Sequence, residues 1–415
     1  MPEFTCGTLV VPRDRTGKLA GRLTLDVAVG NNTNANNGTI LFLTGGPGQP
    51  GVSFVKRIVE RLPEVASGFR IVMIDQRGTG AGAIDCPKLQ HEVGSSDVTP
   101  PSAGAVQECA DLIGPSRDYY TTADTVADLE DLRKALNVSS WAISGVSYGA
   151  FVAARYAVAH PTRVSKLVLD SAVPHTGAPA LYTESFARTP FVLRAACQEQ
   201  KCGYDPAEEL AAVVRRHGNG VGIFDLLVTA SIVDPKLTGV EFYPVLDLVH
   251  QAYQGDVGPL NEAIADLRGR SVGPSDFSSG LHAATLCADQ DDLPWGSPSA
   301  PLAGRAEAVE KAAAAVPAAT VWPFTPADAV GQGLVQTCVA WPPARPDEKA
   351  PATARLTMPV LLLAGERDLS TPLAWAQEQA ALCDNGKLVV IDGAGHSLQG
   401  RFPAATNAMR KFLIP

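Results

Sequence analysis

The chain has 415 residues, 46% of them hydrophobic, which is enough apolar material for a large core in two or three domains, or in one long α/β domain. Its formal charge is -9 and no Lys/Arg cluster is dense enough to track a phosphate backbone, so nucleic acid is not an expected partner. No apolar run reaches the roughly 18 residues that a membrane helix needs.

In chain order, residues 8–11 and 22–29 read as a hairpin joined by a polar turn at 14–21, and residues 31–38 (NNTNANNG) as a solvated loop. Residues 39–43 form a short apolar strand that ends in Thr44-Gly45-Gly46-Pro47-Gly48. Residues 69–74 form another, ending in Asp75-Gln76-Arg77-Gly78-Thr79-Gly80. Val126, Leu129, Leu132 and Leu136 recur at helical spacing, which predicts a helix over 125–136. An apolar run from Trp141 to Ser144 then enters Gly145-Val146-Ser147-Tyr148-Gly149, and a helical pattern follows over 150–159, closed by His160-Pro161. Residues 164–169 are the next strand. Continuous apolar strands alternating with helices describe a parallel sheet covered on both faces.

From about Pro174 to Pro351 strand-like runs are scarce and helical stretches with Pro/Gly breaks dominate. Sheet patterning resumes at 358–364, followed by a helix over 373–382 and a strand over 387–391. This predicts an α/β core formed by residues 1–173 and 352–415, interrupted after the sixth core strand by a helical cap over 174–351.

A serine at the apex of a strand–turn–helix G-x-S-x-G is the nucleophile elbow of an α/β-hydrolase. Flanking glycines are needed because the turn is tight. An activated serine needs a base, and the base an orienting acid, in the order Ser, Asp/Glu, His in this fold. His396 is the candidate base, because it follows the last core strand in the glycine-rich loop Asp392-Gly393-Ala394-Gly395-His396. Asp368 follows the penultimate strand and is the candidate acid, with Glu366 as runner-up; Asp392 sits on the wrong strand end. The backbone amides of Tyr148 and Gly46 are the expected oxyanion donors. Of the other histidines, His175 and His282 keep a binding role open by lying in or beside the cap.

Cys6, Cys86, Cys109, Cys197, Cys202, Cys287, Cys338 and Cys383 make an even count, which favours disulfides and an oxidising compartment over free buried thiols. Cys197 and Cys202 would close a short local loop. None has zinc-ligand spacing, so neither a metal nor a cofactor is expected. Met1-Pro2-Glu3-Phe4 does not read as a signal peptide, so the chain is expected to be cytoplasmic or to lack its leader.

The glycine loop, Asp75–Gly80, the serine elbow, Gly365-x-x-Asp368 and Gly395-His396 together resemble the proline iminopeptidase and tripeptidyl aminopeptidase group of serine hydrolases. The tripeptidyl branch fits better, through the Cys197…Cys202 spacing, Cys287-Ala288-Asp289 and Cys338-Val339-Ala340-Trp341-Pro342. The resemblance implies a Cys287–Cys338 bridge, secretion without the leader in this chain, and release of one to three residues from a free peptide N-terminus. It also implies acidic cap residues for the substrate ammonium, with Glu184, Asp289, Asp291 and Asp292 as candidates. Glu184 is the weakest, since Arg188 follows one helical turn later. A cysteine often found after the histidine loop is missing, which leaves Cys383 with Cys109 as its candidate partner and allows a divergent ester or lactone substrate.

Overall fold

The computed structural model describes residues 3–290 and 292–414. Eight strands form one sheet in the order β1-β2-β4-β3-β5-β6-β7-β8. They span β1 Phe4–Pro12, β2 Arg22–Gly30, β3 Thr39–Leu43, β4 Arg70–Ile74, β5 Trp141–Val146, β6 Val164–Asp170, β7 Leu356–Gly365 and β8 Cys383–Ile391. β1 and β2 pair antiparallel and β2 joins β4 antiparallel, while all remaining neighbours run parallel.

Alternation along each central strand builds two cores. Leu41, Leu43, Ile143, Leu167 and Leu362 face one side, against the helices α1 (Thr122–Ala135) and α2 (Tyr148–Ala159). Ile40, Phe42, Ala142, Val168 and Leu361 face the other. Burial on both faces explains why these strands read as unbroken apolar runs. Two boundaries shift from the sequence expectation, for physical reasons. Helix α1 starts at Thr122, because Thr121 and Asp124 form a capping box ahead of the first apolar position. Strand β8 starts at Cys383 rather than 387, because as an edge strand it follows the β7 ladder through the polar residues Asp384 and Asn385.

Between β6 and β7 the described chain adds no strand to the sheet. It is helical, including α3 (Thr183–Gln200), α4 (Gly220–Val233), α5 (Ser279–Asp289) and α6 (Gly333–Ala340). Helices α3 and α4 bury a core centred on Phe186 stacked on Phe224 at 3.9 Å with Phe324 edge-on to both, while α5 and α6 pack in a separate cluster with Cys86 and Val106. No described helix is long and apolar enough to cross a membrane.

Cys197 pairs with Cys202 and Cys287 with Cys338, as expected. The Cys109–Cys383 pairing is corrected: Cys109 bonds Cys86. Cys109 packs in an apolar cluster with Cys86 and Cys287, whereas Cys383 opens the edge strand in the sheet core and stays a buried thiol donating to the Gln379 carbonyl.

Candidate active site

Ser147 sits between β5 and α2 at φ 57 and ψ -126, backbone strain that only a tightly packed turn maintains. The two elbow glycines make the packing possible. A Cβ on Gly145 would stand 2.1 Å from the Gly149 carbonyl oxygen, and one on Gly149 would stand 2.5 Å from the carbonyl oxygens of Leu43 and Thr44. The Ser147 amide donates to the Asp170 carbonyl at 2.9 Å, tying the elbow to the end of β6.

Beyond β7, the Asp368 carboxylate is almost fully buried and accepts the Ser370 and Thr371 amides, each at 2.9 Å. Its Oδ2 takes His396 Nδ1 at 2.8 Å, and the Thr371 hydroxyl donates to the same oxygen at 2.7 Å. Burial disfavours an imidazolium at His396, but the Asp368 charge and hydrogen bond, helped by Asp170, outweigh it and raise the pKa above its ordinary value. Glu366 does not serve the imidazole: its carboxylate accepts the Gly393 amide at 3.1 Å and so braces the loop. Buried Asp170 plays a similar part, receiving the amides of Leu398 and Gln399 at 2.8 and 2.7 Å.

The helical segment clamps both loops. The Ser231 carbonyl on α4 accepts the His396 amide at 3.2 Å, and its hydroxyl accepts the Leu369 amide at 3.2 Å. Gly395 permits this approach, because a Cβ there would fall 1.7 Å from that carbonyl oxygen. Arg401 donates to the carbonyls of His396 and Ile232, a further tie between the same two pieces of chain.

The glycine loop lies against the elbow, with Gly45 so close that an added Cβ would come within 3.0 Å of Ser147 Cβ. Gly46 has φ 110, and its neighbour Gly48 meets the Ser278 backbone across the cleft. Asp75 steadies the loop by accepting the Gly51 and Val52 amides at 2.7 Å each. The following Arg77 is fully buried and forks onto Asp128 of α1, with both contacts at 2.7 Å. The Asp75–Gly80 motif is therefore a brace for the site.

Ser147, Tyr148, His396 and Gly46 all line one cavity of about 640 Å³. Asp289 also lines it. Its carboxylate receives the Thr122 hydroxyl at 2.6 Å and the Thr122 amide at 3.3 Å, and that hydroxyl also meets the Tyr148 phenol at 2.7 Å. Burial, then the nearby Asp347 carboxylate, pushes the Asp289 pKa up to about 8. The other candidates for the substrate ammonium fare differently. Glu184 lies off the cavity wall, in the first turn of α3, and accepts the Thr183 hydroxyl. Arg188 does not neutralise it but donates to the Glu366 carbonyl at 2.8 Å. Asp292 is exposed and receives the Ala180 amide, while Asp291 lies outside the described residues. His175 is structural, bonded to Gln379 and the Ala354 carbonyl, whereas His282 lines the cavity with Nδ1 2.8 Å from the Pro47 carbonyl.

Two carboxylates that sequence reasoning missed, Asp97 and Asp225, stand on the same wall. Asp97 accepts the Tyr182 phenol at 2.9 Å, and buried Asp225 is held by Ser96 and Thr99. Asp225 had a signal in the sequence, since it is the one charge in the apolar helix Gly220–Val233.

The sheet and its elbow define the chain as an α/β-hydrolase, and residues 38–217 match the family model for that fold. Residues 323–415 match a second model, described as TAP-like protein. Curated relatives include a tripeptidyl aminopeptidase of Streptomyces lividans, 29% identical over 40% of this chain and 35% of its own length. A probable proline iminopeptidase of Streptomyces coelicolor is 32% identical over 35% of this chain and 38% of its length. The chain thus spans about a third of the length of the curated relatives it matches. A solved hydrolase from Pseudomonas aeruginosa is 17% identical, with TM-score 0.46 over 99% of this chain and 98% of that one.

Proposed function

We propose that the chain is a serine aminopeptidase that works through an acyl-enzyme. Ser147 attacks the carbonyl carbon of a peptide bond near a free N-terminus and passes its proton to His396, while Asp368 holds the imidazole tautomer and stabilises the cation. The amides of Tyr148 and Gly46 receive the developing oxyanion. Collapse breaks the C–N bond, the leaving amine takes the proton from His396, and water activated by the same imidazole then releases the acyl group. In this reading residues 174–351 cap the core and supply the wall that reads the substrate.

The observation that carries the proposal is that Asp289, Asp97 and Asp225 line the same cavity as Ser147 and His396. A peptide ammonium is the cation such a wall suits. Asp289 is favoured as its anchor because Thr122 links it to the phenol of Tyr148, directly beside the nucleophile, and because an arriving ammonium would pull its raised pKa back down and ionise it. The peptidase names of the relatives agree with this reading. Three disulfides favour an oxidising, extracytoplasmic setting.

The test compares free-amine and N-acetylated peptidyl anilides alongside simple esters. The proposal expects that, of the anilides, only the free amines are cleaved. Equal turnover of free and blocked peptides removes the exopeptidase reading, and turnover of esters alone selects an esterase or lactonase built on the same serine.

A further inference from the structure

The cavity wall carries arginines as well as carboxylates. Arg57, Arg61 and Arg401 line the same space as the carboxylates. Among the described residues, none of the three has an ion pair with a carboxylate. Arg401 spends its hydrogen bonds on the carbonyls of His396, Ser397 and Ile232, and Arg57 lies over the Phe54 ring at 4.5 Å. Arg61 packs against the histidine loop so closely that a Cβ on Gly400 would stand 2.4 Å from Arg61 Cβ. The three charges also feel one another: burial, then Arg57 and Arg401, pull the Arg61 pKa down from its ordinary value, which still leaves it cationic. Arg57 and Arg61 are exposed and Arg401 half-buried, so water screens their repulsion, and the three guanidiniums on one wall still offer an anion several donors at once.

Their position says which part of a substrate meets them. His396 must deliver its proton to the departing amine, so the leaving group lies against the histidine loop. Arg401 and Arg61 flank that loop. The carboxylates of Asp289 and Asp97 have other neighbours, Thr122 and Tyr182, and among the described residues neither hydrogen-bonds that loop.

We propose that Arg57, Arg61 and Arg401 bind the C-terminal carboxylate of the leaving peptide, so that the preferred substrates are short zwitterionic peptides with both ends free. The inference rests on the aminopeptidase reading and extends it from one end of the substrate to the other. A cavity of about 640 Å³ falls within the roughly 300–1,000 Å³ of small-ligand sites, which suits an oligopeptide better than a folded protein.

The experiment measures kcat/KM for alanine tetrapeptides with a free carboxylate and with a C-terminal amide, both with free amines, alongside a trialanyl anilide. The free acid is expected to be better by about tenfold, the scale of a hydrogen-bonded charge. The advantage should fall with added salt. Arg61→Gln and Arg57→Gln should each narrow the acid-to-amide ratio by about threefold, through KM, as partly exposed charges do. An amide cleaved as well as the acid, or a ratio unmoved in both variants, overturns the inference while leaving the aminopeptidase reading intact. Failure of all three free-amine substrates, with esters still hydrolysed, overturns both.

Discussion

The sheet and the helical segment between β6 and β7 contribute to the site in different ways. The sheet holds Ser147, Asp368 and His396 beyond its strand ends, where backbone sterics leave few choices. Gly145 and Gly149 must be glycine because carbonyl oxygens stand 2.1 and 2.5 Å from where a Cβ would be. The helical segment contributes side chains to the cavity wall and hydrogen bonds that hold the loops, as Asp225, Asp289 and Ser231 do. In the proposed reading, chemistry is confined to a few sterically fixed positions, while recognition is spread over surfaces that many sequences could build.

Four variants probe this division, and the largest effect is expected in the sheet. Ser147→Ala should lower kcat by about 10⁵-fold or more without changing the melting temperature, as followed by calorimetry and anilide turnover. Asp368→Asn should lower kcat by about 10⁴-fold, because the imidazole loses its orienting acceptor. That variant also has a pH signature. His396 must be neutral to act as base, so activity falls as pH drops through its pKa. Burial lowers that pKa and the Asp368 carboxylate raises it, with the carboxylate prevailing. Removing the carboxylate should move the acid limb of the kcat/KM profile to lower pH. An acid limb left in place would mean that another group controls it.

In the helical segment, Asp289→Asn should raise KM for free-amine anilides by roughly 10- to 100-fold, the range of a hydrogen bond to a charge, while ester hydrolysis changes little. A proportional loss on esters would make Asp289 a support for Tyr148 and not an ammonium anchor. The smallest effect belongs to Ser231→Ala, which removes the hydroxyl contact to the Leu369 amide but keeps the carbonyl contact to His396. A loss of about 1 kcal/mol in stability and a few-fold drop in kcat are expected. A larger loss would show that the segment sets the catalytic geometry as well as the binding wall.

The same division explains what could be read without coordinates. The succession of strands and helices, the elbow, and the candidate residues Asp368 and His396 were legible because glycine placement and apolar runs are local signals. Asp289 was reached only through the resemblance, and Glu184 and Asp292 came with it although neither reaches the cavity. A carboxylate's position in a helical cap depends on how helices cross, which periodicity does not encode. Thr371, Ser231 and Thr122 were missed because a hydroxyl that steadies a loop looks like any surface hydroxyl. Cys109 was misassigned for a related reason: its partner Cys86 lies 23 residues away in the same apolar cluster, and pairing depends on that packing.

The central claim is that one hydroxyl in this chain, that of Ser147, is made nucleophilic by its surroundings. Labelling the wild-type protein with a fluorophosphonate and mapping the adduct by peptide mass spectrometry tests it directly. The account predicts a single adduct on Ser147, formed more slowly as pH falls through the His396 pKa. An unlabelled Ser147, or an adduct on a different serine, would contradict it.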